Sequence, residues 1–142
     1  MIEFWTKLVM VKYFLLWVPM LLLAIVNGIL RDLCYGKYTG ALLAHQISTV
    51  TLIIFFAFYI QYTIRKFPPS SPWQALLIGL FWLVLTLCFE FGFGLFRGSS
   101  WAMLLEDYNL LAGRIWILIP IWIMIAPSVF YSIHSRATQS KV

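Results

Sequence analysis

Apolar residues in this chain fall into four long runs, at about residues 13–30, 41–64, 74–96 and 115–133, separated by short polar stretches. Each run is close to the roughly 20 residues that carry a helix across a hydrocarbon core. Leu21-Leu22-Leu23-Ala24-Ile25-Val26 and Leu52-Ile53-Ile54-Phe55-Phe56-Ala57 are apolar on every face. Strands of a transmembrane barrel are shorter and alternate apolar with polar, so helices are predicted. Residues 101–113 are too polar to cross and too apolar for a free loop, and Ser99 or Ser100 is placed to cap a helix there. The pattern predicts an all-α integral membrane four-helix bundle with a short interfacial helix before the fourth span. Residues 1–142 form one transmembrane domain on this reading.

Composition strengthens the assignment. Hydrophobic residues make up 63% of the chain and charged residues 11%, and mean hydropathy is +0.92. A soluble domain of 142 residues has no means of burying that much apolar surface. Lys7 and Lys12 precede the first run as in a secretory signal, but the run continues to Asn27, Arg31 and Asp32 without a small-residue cleavage pattern. It is expected to remain as the first helix.

Charge then sets orientation. Four spans put the N-terminus, the middle connection and the C-terminal tail on one face, with Lys7, Lys12, Arg65, Lys66, Arg136 and Lys141. The other face holds Arg31, Lys37, Arg97 and Arg114. The positive-inside rule counts only these cations and predicts cytoplasmic termini. The net charge of +5 is read as topology signal, and its dispersed basic residues exclude a nucleic-acid stripe. Pro68, Pro69 and Pro72 mark the middle connection as a structural turn.

Glu90 is the residue that most calls for explanation, since a charge in a membrane span usually pairs inward or lines a wet cavity. It should sit roughly 9 Å below the interface opposite the termini. His45 enters the second span from that same face. Asn27 and Arg31, four apart at the end of the first run, share a helical face, and Arg114 opens the fourth. Asp107 falls on a similar face to Arg114 if the intervening helix is continuous. Asn27, Arg31, His45, Glu90, Asp107 and Arg114 therefore form a candidate ligand-binding or ion-pair pocket. Glu90 is expected either to pair with Arg31 or Arg114 as a packing element or to act as a functional carboxylate; His45 is either a packing histidine or a titratable ligand. The opposite halves of the spans are almost wholly apolar, so no continuous polar pathway is visible.

Other chemistry finds little support. His45, Glu90 and Asp107 could supply two or three metal ligands, but no spacing sets two ligands on one helix, and no metal or cofactor is assigned. Glu90-Phe91-Gly92-Phe93-Gly94 lacks the strand–turn–helix setting of a nucleotide loop. Gly92 and Gly94 are read as sites of close helix approach or a break near Glu90, and Pro120 and Pro127 as kinks in the fourth span. Cys34 and Cys88 are expected unpaired, and no catalytic residue is assigned.

Glu90-Phe91-Gly92-Phe93-Gly94, Ser100-Trp101, Leu104-Leu105, Asp107-Tyr108-Asn109 and Gly113-Arg114-Ile115-Trp116 together resemble a pattern in small, uncharacterised bacterial inner-membrane proteins with four predicted spans. The resemblance covers less than a third of the chain. It implies a multi-pass protein of the bacterial inner (plasma) membrane and no mechanism. Three function classes follow: a pocket that binds or translocates a small ligand or ion, a non-catalytic accessory subunit of a membrane complex, and an intramembrane enzyme acting on lipid or quinone. The first is preferred, and an enzyme is the less favoured reading. The expected partners are the bilayer and either further copies of the chain or another membrane protein.

Overall fold

The computed structural model describes residues 1–140, the side chains of Ile2, Phe4 and Trp5 excepted. Lys141, counted above among the cations, lies outside the described residues. The chain is 85% helical, with no strand among the described residues. Its elements are α1 (Ile2–Leu30), a π-helical turn (Arg31–Tyr35), α2 (Gly36–Thr39), α3 (Ala41–Lys66), α4 (Pro72–Phe96), α5 (Trp101–Glu106), a 3-10 turn (Leu110–Ala112) and α6 (Leu118–Gln139). Four helices are long and apolar enough to cross a membrane: α1 with its continuation to Thr39, α3, α4 and α6. Only 17% to 33% of each apolar window is buried within the chain, which leaves large apolar faces for lipid or protein to cover.

Local signals fix the breaks. Gly40 takes φ +80° and ψ 155°, a region that admits little but glycine, and separates α2 from α3. Ser71 caps α4 by accepting a bond from the Gln74 amide at 3.1 Å, and Pro72 fills the first helical position, where its missing N–H costs nothing. Pro127 lies inside α6, whereas Pro120 falls in its first turns.

The expected continuous helix over 101–113 does not form. Ser100 does cap a helix, accepting from the Met103 amide at 3.3 Å, but the helix ends at Glu106. Asn109 leaves helical geometry at φ −80° and ψ 89°, and Gly113 turns left-handed at φ +78°. The chain folds back on itself there, and the fourth long helix starts at Leu118 rather than near residue 115.

Helix α6 packs against both α3 and α4, and α1 packs against α3 and more briefly against α4. The α4–α6 crossing is close because Gly79 has no side chain; a Cβ there would overlap the Met124 carbonyl. At the core, the fully buried Trp82 donates from Nε1 to the Tyr13 carbonyl at 2.8 Å, with their rings edge-to-face at 6.4 Å. Leu52, Phe56, Ile60, Ile119 and Ile123 belong to the same buried cluster.

Candidate functional site

Helices α1 and α4 meet near the termini face and part toward the face that carries the 97–117 connection. Their contacts are Tyr13 with Trp82, Trp17 Nε1 donating to Thr86 Oγ1 at 3.0 Å, and Trp17 edge-on to Phe89 at 6.4 Å. Beyond that floor lies a cavity of about 750 Å³, within the range of small-molecule sites. Met20, Ala24 and Gly28 line its α1 wall, Phe89, Glu90 and Phe93 its α4 wall, and Ile119 and Ile123 of α6 its back.

The cavity opens sideways. Ile25, Ile29 and Phe93 line it and are also 42%, 50% and 46% exposed, so its mouth runs along the apolar flank of the helices. From Trp17 at the floor to Arg31 at the rim the α1 wall measures roughly 21 Å along the helix axis. Half of a hydrocarbon core is about 15 Å, so the crevice is comparable in length to one leaflet of a bilayer.

Charged groups gather at the rim: Arg31, Asp32, Lys37, Arg97, Asp107 and Arg114 all line it, with His45 and Glu90 below. The expected pairing of Glu90 with Arg31 or Arg114 is absent. Glu90 instead accepts bonds from the Tyr108 hydroxyl, at 2.5 Å on Oε2, and from Trp116 Nε1 on Oε1. The arginines are held elsewhere: Arg31 Nε lies 2.8 Å from Asp32, and Arg114 lies 3.4 Å from Asp107 and 3.6 Å from Glu106. Two neutral donors thus fill the acceptor sites that a cation was expected to fill. Burial, and then the neighbouring Glu90 carboxylate, push the Tyr108 phenol above its ordinary range, which keeps it an O–H donor through neutral pH.

His45 stacks on Trp116, with ring centroids 5.3 Å apart and planes 16° apart, and its Nδ1 is 4.0 Å from Asp107 Oδ1. Asp107 reaches Arg114 across the turn at Asn109 and not along a helix face.

Of the six residues predicted for the pocket, five line this cavity together. Asn27 does not. It is 3% exposed, and its Nδ2 donates to the Ser48 carbonyl at 2.9 Å and to Ser48 Oγ at 2.7 Å, tying α1 to α3. Ala24, Gly28 and Arg31 follow one another at helical spacing along the crevice, and Asn27 stands about 100° round from Gly28.

Sequence reasoning missed Tyr108 and Trp116 as Glu90's partners, and Lys37 and Arg97 as rim cations. A buried carboxylate needs donors, and Tyr O–H and Trp N–H were within reach of that depth; that was the available signal. Gln46 adds a tie, donating to the Gly113 carbonyl at 2.8 Å and fixing the folded-back segment on α3. Among the described residues no three His, Cys, Asp or Glu side chains converge as a metal-ligand set, and Cys34 and Cys88 are both free. Compared with protein-family models, with curated proteins and with solved structures, the chain matches none.

Proposed function

We propose that this chain is a multi-pass membrane protein that binds an amphipathic small molecule taken sideways from one leaflet of the bilayer. The observation that carries the reading is the crevice between α1 and α4, with apolar walls, a charged rim, a flank opening and a depth of about one leaflet. Transfer across the whole membrane is disfavoured, because the Trp17–Thr86 bond and the buried Trp82–Tyr13 contact close the floor. Glu90, held by Tyr108 and Trp116, serves as a fixed polar landmark partway down one wall, placed to meet a hydroxyl or amine on the ligand.

A cytoplasmic location of both termini, argued from the cation bias, would make the binding leaflet the outer one.

The reading is tested by purifying the protein from membranes in mild detergent and measuring co-purifying amphiphile by mass spectrometry. Gly28 offers a clean obstruction, because a Cβ there meets nothing within 4 Å. Wild-type protein should carry a stoichiometric amphiphile, and Gly28→Leu should carry several-fold less while remaining folded by circular dichroism. Equal retention by both proteins would contradict the proposal.

A further inference from the structure

We infer that the ligand of this crevice is a bilayer phospholipid whose headgroup carries a net negative charge, its phosphate held at the rim by Lys37 and Arg97. The inference rests on the reading of the crevice as an amphiphile site and goes beyond it by naming the headgroup.

Charge pairing at the rim carries the argument. Arg31 is paired with Asp32, and Arg114 with Asp107 and Glu106, so these five charges largely satisfy one another. The two oxygens of Glu90 already accept bonds from Tyr108 and Trp116. Lys37 and Arg97 line the same cavity and form no ion pair among the described residues. Arg97 only lies over the Phe93 ring, 5.7 Å from its centroid.

The two cations come from opposite walls. Lys37 belongs to α2, which continues α1, while Arg97 caps the end of α4. Both line the crevice. An acyl chain lying in the apolar crevice brings its headgroup to this level, where a planar guanidinium and an ammonium are the groups suited to a phosphate. Glu90 lies seven residues before Arg97 on α4, roughly 10 Å deeper. That is too deep to oppose a phosphate at the mouth and well placed to meet a polar group nearer the chain. A zwitterionic headgroup brings its own cation to the mouth, which offsets its phosphate and repels Lys37 and Arg97, whereas a net-anionic headgroup does not.

The test uses full-length protein in nanodiscs made from an equimolar mixture of phosphatidylglycerol and phosphatidylcholine, followed by native mass spectrometry of the retained lipid. Wild-type protein should retain phosphatidylglycerol in preference, by roughly tenfold. The double variant Lys37→Ser, Arg97→Ser should still retain lipid but lose the preference. Gly28→Leu, and independently Ala24→Phe, should lose retained lipid of both kinds. Soluble glycerol 3-phosphate, added in excess, should not displace the lipid; displacement would assign the site to free phosphate and overturn the lipid source. Retention that Gly28→Leu and Ala24→Phe abolish, but that shows no headgroup preference in wild type, would overturn this inference and leave the amphiphile reading standing. Retention unchanged in both crevice variants would overturn the two together.

Discussion

A carboxylate at the depth of Glu90 must be satisfied, and here a phenol and an indole do it where a cation was expected. Removing either donor leaves a buried acceptor unfilled, so Tyr108→Phe should cost about 1–3 kcal/mol, read as a lowered Tm in detergent. Arg31→Met should cost less than about 1 kcal/mol, since its partner Asp32 is 66% exposed. Were Glu90 held mainly by Arg31, the order of the two effects would reverse. A pH signature accompanies the first substitution. Because the folded-state phenol sits above its ordinary value of 10.0, its contribution to stability is complete below that value and is lost as pH rises beyond it. Tyr108→Phe should therefore shallow the alkaline fall in Tm, which thermal scans across that range would record. The need of Glu90 for a partner was legible in the sequence. The partner's identity was not, because it depends on a chain reversal set by the backbone of Asn109 and Gly113.

Among the elements, the four long helices could be read from hydropathy, but not all of their ends. α1 runs back to Ile2, well before the predicted start near residue 13, because an apolar run marks only the most hydrophobic part of a helix and Lys7 and Lys12 interrupt that run without breaking helical geometry. The start of α4 at Pro72 was written in the local sequence as a serine followed by proline, a signal that the apolar run alone obscured. Helix contacts are less visible still. Gly92 and Gly94 were expected to mark close approach or a break near Glu90; α4 runs unbroken through both, and the tight α4–α6 crossing is at Gly79 against Met124, a match of two surfaces that no single run reveals. Gly94 does pack closely, against the Leu104 side chain, while a Cβ at Gly92 would meet nothing within 4 Å. Two substitutions on the same helix should therefore differ in sign. Gly79→Ala should destabilise by about 1–3 kcal/mol through overpacking, and Gly92→Ala should stabilise by up to about 1 kcal/mol through helix propensity. Thermal unfolding of both variants in one detergent checks the contrast.

At the scale of the whole molecule, four long helices return the chain to the face from which it started. Reporter fusions at the two ends should both report cytoplasm, given the excess of Lys and Arg on that face; a signal from the opposite side at either end would reverse the proposed orientation. The same arrangement explains why a binding crevice was only half legible. Polar residues at one depth could be counted along the chain, but the space between α1 and α4 depends on how the helices pack, α1 chiefly on α3 and α4 chiefly on α6, which no single run reveals. The central claim is that this space holds an amphiphile, and photo-crosslinking tests it most directly. A lipid with a photoreactive group on its acyl chain would be reconstituted with the protein, irradiated, and its adducts mapped by mass spectrometry. Adducts should concentrate on the crevice walls at Ala24, Gly28 and Phe93, above the level on outward-facing apolar positions such as Leu22, Phe58 and Val84. Equal labelling of the crevice and those exposed faces, unaffected by Gly28→Leu, would contradict the account.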